Sequence, residues 1–270
     1  ATLIGSGDLR SLGDMSAVTK LILNGDVTHT PNSTSDLPKS IDANGFDITA
    51  TSSIDVSGVV LSNVSDLEIV DGVTVTLSAS QASSFNNSNN TSLINLNDSG
   101  VAAVTAGGNL SALNLANVTL TLNAATTLPD TTAELPKSIV AASNTITVAA
   151  TVDISNTTLT NLGSVIVSAG TLIIDADQLD NKTLSGAGNI AVIDAAAGTR
   201  YFFDNVTNSG TKSINFATGG GLNSFSSAYL YGFSITVTAG QTISMNENQV
   251  VAHIADVLTL GSIEVGAVTS

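Results

Sequence analysis

Cysteine is absent from this chain of 270 residues. Disulfides, thiolate metal sites and cysteine nucleophiles are therefore excluded. Tryptophan is also absent, and only 4% of the residues are aromatic, whereas a large globular enzyme usually packs its core around several large rings. The apolar residues make up 43% of the chain. They are mainly Ala, Val, Leu and Ile, which suit a thin core that repeats along an axis.

Basic residues are scarce too. Seven Lys and Arg stand against 22 Asp and Glu, which gives a formal net charge of −15. Such a surface repels phosphates, so binding to nucleic acid is disfavoured, and so is adhesion to an anionic membrane face. No apolar stretch reaches the length of a membrane span, and the sequence predicts no transmembrane segment.

Proline is rare and is confined to an internal repeat. All four prolines belong to two copies of one pattern, in which residues 37–41 (LPKSI) recur as residues 135–139. Further matches follow at a constant offset, which indicates a duplication. The predicted units are a first long repeat (1–100), a second long repeat (101–197), an aromatic- and Gly-rich insertion (198–232) and a partial third repeat (233–270).

A shorter pattern of strand, glycine turn and strand lies within these units. It is centred on Gly72, Gly170 and Gly240, and the flanking runs alternate apolar and polar residues as a half-buried strand does. A glutamine follows each turn after a short interval, at Gln81, Gln178 and Gln249. Glycine is favoured where the backbone needs a positive φ, so Gly72 and Gly170 are predicted to occupy equivalent tight turns.

These short strands predict an all-β fold, a parallel β-solenoid (β-helix) built from tandem repeats. The alternative is a row of antiparallel β-sandwich domains, with each long unit forming one domain. The solenoid is favoured because the shorter pattern is smaller than a sandwich and recurs within each long unit.

Residues 66–81 (DLEIVDGVTVTLSASQ) resemble a phrase of the bacterial β-strand-repeat proteins, a family of giant adhesins, S-layer-like proteins and biofilm matrix proteins. In that family a Gly-x-Gly-x-Val strand follows the phrase, and residues 184–192 (LSGAGNIAV) match it. The first copy departs from the family pattern, because residues 84–90 are rich in Asn and Ser. The resemblance implies export to an extracellular or cell-surface location, scaffolding and self-association. It implies no active site.

An acidic segment in the second unit is the candidate metal site. Asp175, Asp177 and Asp180 lie close together in the sequence, and acidic loops supply the oxygen ligands that Ca²⁺ prefers. If the segment is a strand, alternation places Asp175 and Asp177 on one face. The pattern of an EF-hand is absent, and two interpretations stay open: a Ca²⁺ site or a solvated polar turn.

Most of the aromatic residues fall within residues 201–233. Ring stacking on a sugar would make this stretch an extracellular glycan-binding module, which is the alternative function. The two histidines, His29 and His253, have no acid–His–Ser pattern around them. Phosphate-loop and dinucleotide motifs are also absent, so the chain is not expected to be an enzyme.

The leading interpretation is a non-catalytic structural segment of a secreted or cell-surface protein, such as an adhesin, a surface layer or an extracellular filament. A stacked solenoid exposes unpaired strand edges at its poles, and natural solenoids cover these edges with caps. No charged, proline-bearing cap is evident in the sequence. The edges are therefore expected to join other copies of the chain or flanking segments of a longer chain.

Overall fold

The computed structural model describes residues 1–85, 94–97, 99–196, 199, 201–221, 232–246, 257–259 and 262–266. The chain is a parallel β-solenoid of about 11 turns. Its strands are β1 (Thr2–Asp8), β2 (Lys20–His29), β3 (Ser40–Asp42), β4 (Ile48–Ala50), β5 (Ile54–Asp55), β6 (Val60–Ser62), β7 (Leu67–Ile69), β8 (Thr74–Leu77), β9 (Ile94–Leu96), β10 (Val101–Asn109), β11 (Val118–Thr127), β12 (Ser138–Val140), β13 (Thr145–Val148), β14 (Val152–Asp153), β15 (Thr158–Thr160), β16 (Ser164–Val167), β17 (Thr171–Asp175), β18 (Thr183–Ser185), β19 (Asn189–Ala196), β20 (Lys212–Thr218), β21 (Gly220–Gly221), β22 (Phe233–Val237), β23 (Thr242–Asn246), β24 (Val257–Thr259) and β25 (Ser262–Gly266). Two helices, α1 (Ala79–Phe85) and α2 (Ala176–Leu179), and three short 3-10 turns (Leu9–Leu12, Thr34–Asp36 and Thr132–Glu134) complete the described elements.

Parallel pairing decides between the two predicted folds. The nineteen strand pairs whose register is established are all parallel, among them β1 with β2, β8 with β10 and β17 with β19. Sandwich domains built from hairpins would pair their strands in antiparallel fashion. The β-solenoid prediction is therefore confirmed.

The chain forms two compact units. The first comprises Ala1–Gly107, Ala112–Asn123 and Ala133–Val140, and the second comprises Gly108–Ser111, Ala124–Thr132 and Ala141–Ser270. In the first unit one sheet has the order β6-β3-β2-β4-β7-β9, and β1 pairs with β2 beside it. In the second unit the sheets include β14-β17-β19-β20-β22-β24 and β21-β23-β25.

Alternation builds the core of each coil. In β2, Leu21 and Leu23 are fully buried, whereas Lys20 and Ile22 are partly exposed. The parallel register places Leu21 beside Ile41 of the next coil, so aliphatic side chains stack on one another along the interior. Complete burial of one such side chain contributes about 1.5–3 kcal/mol, which makes these stacks the main source of stability.

The glycine turns occur where the sequence predicts them. Gly72 lies between β7 and β8 with φ of 71°, and Gly170 lies between β16 and β17 with φ of 67°. Gly240, between β22 and β23, has φ of 80°. The prediction of equivalent turns is thus confirmed for Gly72 and Gly170.

The duplication is visible as a repeated order of elements. Strands β3 to β8 and the helix α1 are followed, in the second copy, by β12 to β17 and α2 in the same sequence. The 3-10 turns Thr34–Asp36 and Thr132–Glu134 precede the two series. Similar sequence therefore produces similar local structure in both copies.

The segment 198–232 contributes two described strands, β20 and β21, to the solenoid. Its strand β20 pairs in parallel with β19 on one side and with β22 on the other. The described part of this segment thus continues a sheet, with a shift in the register between β19 and β20. Phe216 of β20 is fully buried.

Candidate functional site

The acidic segment spans the end of a strand and a short helix. Strand β17 ends at Asp175, and α2 begins at Ala176. Asp177 therefore lies in a helix, and the expectation that Asp175 and Asp177 alternate on one strand face is wrong. The strand ends there because Asp175 is the N-cap of α2, and its N–H donates a hydrogen bond to the side chain of Gln178 three residues later. Capping by an acidic residue is favourable at a helix start.

Asp175 is crowded by other carboxylates. Burial raises the pKa of its carboxyl group above the ordinary value. Nearby negative charges raise this pKa further, in the order Asp194, Asp153 and Asp177. One oxygen of Asp175, Oδ1, is buried and has no hydrogen-bond partner in the described structure. Ionisation of Asp175 therefore opposes folding at neutral pH.

Asp180 has a different role. Its Oδ1 accepts a hydrogen bond of 2.6 Å from the N–H of Phe202, and its Oδ2 accepts one of 2.7 Å from Nδ2 of Asn181. Among the described residues, no group of three or more His, Asp or Glu side chains is arranged to hold a metal ion. Binding of Ca²⁺ by Asp175, Asp177 and Asp180 would require their side chains to rearrange, and it stays a prediction.

A ladder of aspartates runs along one edge of the first unit. Oδ1 of Asp26 accepts a hydrogen bond of 3.1 Å from the N–H of Asp47, and Oδ1 of Asp47 accepts one of 3.1 Å from the N–H of Asp66. Each carboxylate thus satisfies the backbone of the next coil. Sequence reasoning missed this ladder because the three residues are about 20 positions apart, although each directly precedes an aliphatic strand residue.

The recurring glutamines hold neighbouring coils together. Oε1 of Gln81 accepts a hydrogen bond of 2.7 Å from the N–H of Ser78. Its Nε2 donates to the carbonyl oxygens of Val56 at 2.9 Å and Val59 at 2.7 Å, in the preceding coil. One side chain therefore joins the start of α1 to a turn that lies about one coil earlier.

Gln178 repeats this arrangement in the second copy. Its Oε1 accepts from the N–H of Asp175 at 3.2 Å, and its Nε2 donates to the carbonyl of Thr157 at 2.8 Å. Weaker bonds of 3.3 Å reach the carbonyls of Ile154 and Ser155. Gln249 lies outside the described residues. The recurrence of glutamine in the sequence was the signal for this shared role.

The described aromatic rings of residues 201–233 pack inside the protein. Tyr201 stacks on Phe203 with ring centroids 5.7 Å apart, and Phe203 lies 5.7 Å from Phe233. Tyr201, Phe203, Phe216 and Phe233 are each at most 3% exposed, and Phe202 is half-buried. Among the described residues, these buried rings do not form an exposed platform for a sugar. Phe225, Tyr229 and Tyr231 lie outside the described residues.

In the part of the chain that the structure describes, His29 and the two helices add no further site. His29 is half-buried, and its Nδ1 lies 3.2 Å from Oγ1 of Thr28; His253 lies outside the described residues. Within the described part of the chain, no helix is both long enough and apolar enough to cross a membrane.

The edge of β1 is the remaining candidate surface. Among the described strands, β1 pairs with β2 alone. Leu3 and Gly5 pair with the fully buried Leu21 and Leu23 and so lie on the inward face, yet they are only half-buried. Ile4, on the outward face, is 62% exposed. On its other side β1 pairs with no described strand, and Leu3 and Gly5 are only partly covered.

Comparisons with family models, with curated proteins and with solved structures found no match for this chain.

Proposed function

We propose that the chain is a non-catalytic structural segment of a secreted or cell-surface protein, of the adhesin, surface-layer or extracellular-filament kind. In this role it joins flanking repeats or other copies of itself through the edges of its sheets. The observation that carries the proposal is the stacking of coils in parallel register, in which buried aliphatic side chains and hydrogen bonds between neighbouring coils recur. Unpaired strand edges recruit further strands.

The chemistry of the chain is consistent with a scaffold. The solenoid core consists of stacked aliphatic residues, and its glutamines and aspartates bond one coil to the next. With a net charge of −15, the lateral surfaces of two copies repel each other. Association is therefore directed to the strand edges, where backbone hydrogen bonds of about 1 kcal/mol each add to apolar burial.

Light scattering against protein concentration, followed by electron microscopy, tests this proposal. We expect particles that grow along one axis as the concentration rises. A Leu3→Lys variant places a charge on the inward face of the edge and should reduce this growth, whereas Thr28→Lys, at an exposed position of β2, should leave it unchanged. A chain that stays monomeric at every concentration would contradict self-association.

A further inference from the structure

Strand β6 ends its sheet in the middle of the first repeat. It pairs with β3, and no other described strand lies beside it. The element on its other side is α1, whose Gln81 bonds the carbonyl oxygens of Val56 and Val59 just before β6. Because a helix bonds its own backbone internally, α1 offers β6 no ladder of hydrogen bonds.

A column of inward residues shows that β6 is incompletely covered. Leu21 of β2, Ile41 of β3 and Leu61 of β6 stack on one another in the interior. Leu21 is completely buried and Ile41 is 5% exposed, whereas Leu61 is only half-buried. The second repeat shows the same gradient, since the corresponding residues of β11 and β12 are completely buried and Leu159 of β15 is half-buried. In both copies the third residue of the column therefore lacks a covering strand.

The backbone of Leu61 faces away from β3. The N–H of Val60 donates to the carbonyl of Lys39 at 3.1 Å, and the carbonyl of Ser62 accepts from the N–H of Ala43 at 2.8 Å. Neighbouring residues of a parallel strand direct their backbone groups to opposite sides. The N–H and C=O of Leu61 therefore point to the side on which no described strand lies, and such an edge accepts a further strand.

A slot lies between β6 and α1, within the first unit. Its volume is about 390 Å³, within the range of about 300–1,000 Å³ for ligand sites. Residues 57–61 line one wall, and the polar side chains of Ser78, Ser80, Gln81 and Ser84 line the other. All of these side chains are uncharged, although the chain carries a net charge of −15. An uncharged strand therefore suits the slot.

We propose that this slot is a docking site for an extended, uncharged peptide strand of a partner protein. The peptide lies parallel to β6 and continues the register of β3 with β6. One aliphatic side chain of the peptide covers Leu61. The N–H of Leu61 donates to the peptide carbonyl one position before that residue, and its C=O accepts from the N–H one position after it. Main-chain bonds then provide affinity, and the aliphatic residue provides specificity. The site goes beyond the proposed scaffold role and does not depend on self-association.

Disulfide trapping tests this register, since the chain has no cysteine. The probe is a synthetic peptide of residues 117–122 (NVTLTL) with blocked ends, which is uncharged. When Leu120 of the peptide lies beside Leu61, Thr119→Cys of the peptide lies beside Val60→Cys of the full chain. Neighbouring parallel strands are about 4.8 Å apart, within the range of about 4.4–6.8 Å between the Cα atoms of a disulfide. Val60 is 66% exposed, so its substitution should not disturb folding.

We expect this peptide to cross-link at least about tenfold more than a control peptide that also carries Thr121→Pro, because proline removes the N–H that bonds the carbonyl of Leu61. The control chain carries Ile166→Cys, which is also exposed but lies on β16, a strand paired on both sides by β13 and β18. The control chain should react equally with the two peptides. Equal yields with the Val60→Cys chain would overturn the proposal.

Hydrogen exchange of the natural chain gives a second readout. The peptide should slow exchange of the Leu61 amide, whereas the peptide with Thr121→Pro should leave it unchanged. Unchanged exchange at saturating peptide would overturn the proposal. So would equal protection of this amide by a neutral oligosaccharide such as cellotetraose, because the slot would then take a glycan. Cross-linking of the Val60→Cys chain to itself in preference to the peptide would assign the slot to a second copy and would also overturn the proposal.

Discussion

Gly72 and Gly170 occupy matching turns, yet a side chain at the two positions would meet different surroundings. A Cβ atom at Gly72 would have no other atom within 4 Å. A Cβ atom at Gly170 would lie 2.3 Å from the carbonyl carbon of Ala150 and 2.5 Å from the nitrogen of Thr151, both in the preceding coil. The first glycine is needed for its φ alone, and the second also for close approach of the backbone.

We therefore predict unequal effects of alanine at these two glycines. Gly72→Ala should lower the free energy of unfolding by about 1–2 kcal/mol, which is the cost of left-handed backbone for an L-residue. Gly170→Ala adds a clash with backbone that cannot move aside and should cost at least about twice as much. Urea unfolding measures both values. Equal losses would mean that the coils at Gly170 separate easily.

The carboxyl group of Asp42 makes the stability of the fold depend on pH. Its pKa is lowered to about 2, first by the hydrogen bond from Nζ of Lys20 at 2.9 Å, then by Nδ2 of Asn63 and the N–H of Asn44. A folded-state pKa below the unfolded value of 3.8 stabilises the fold above pH 3.8, and this contribution is lost as the pH falls towards 2.

The Asp42→Asn variant should therefore lose stability at pH 6 and show a flatter decline between pH 4 and pH 2 than the natural chain. Lys20→Met removes the principal partner and should flatten the same region. Melting temperatures recorded from pH 2 to pH 6 check both variants. A decline of unchanged steepness in Asp42→Asn would show that other carboxylates dominate acid unfolding.

At the scale of elements, the glutamines bond the helix starts to the preceding coil. Gln81→Leu removes the donor to the carbonyls of Val56 and Val59 and the acceptor for the N–H of Ser78. Part-buried groups left unpaired cost about 1–3 kcal/mol each, so we predict a loss of about 2–4 kcal/mol of unfolding free energy. Gln178→Leu should behave alike in the second copy.

The isosteric change Gln81→Glu is the matched control, because it keeps the acceptor and removes only the Nε2 donor. At low pH a protonated glutamic acid still donates one hydrogen bond. The free energy of unfolding of Gln81→Glu should then lie between that of the natural chain and that of Gln81→Leu. If the natural chain, Gln81→Leu and Gln81→Glu had the same free energy of unfolding, apolar stacking alone would hold the coils together.

At the scale of the whole molecule, the net charge of −15 makes stability depend on cations. Monovalent salt should raise the melting temperature gradually by screening repulsion between carboxylates. If Asp175, Asp177 and Asp180 gather Ca²⁺, millimolar Ca²⁺ should raise the melting temperature further at equal ionic strength, because a hundredfold excess over the dissociation constant adds about 2.7 kcal/mol to the free energy of unfolding. Identical melting temperatures in calcium and in chelator would show that these aspartates do not bind Ca²⁺.

Asp175→Asn separates the two effects. The raised pKa of Asp175 means that its charge destabilises the fold above that pKa, so the variant should melt higher than the natural chain at pH 7 without calcium. This gain should shrink as the pH falls and Asp175 becomes protonated in the natural chain. With calcium bound the order should reverse, since asparagine supplies a weaker ligand.

The sequence by itself determined that the fold is all-β and repeat-built, and it favoured the parallel solenoid over a row of antiparallel sandwiches. Alternating aliphatic residues, glycines at turns and a duplicated pattern are local or periodic features, and they were sufficient to predict the strands and the turns at Gly72 and Gly170. The recurring glutamine at Gln81 and Gln178 was visible too, although its bonding was not.

The tertiary structure decided which residues meet across the coils. Hydrogen bonds between neighbouring coils join residues at varied separations, for example 19 positions for Asp66 with Asp47, 29 for Asn97 with Glu68 and 31 for Asn114 with Ser83. Because coil length varies, no fixed period in the sequence predicts that Asp153 and Asp194 lie near Asp175. The start of α2 at Ala176, the burial of the aromatic rings and the open edge of β1 depend on the same stacking, which only the folded chain establishes.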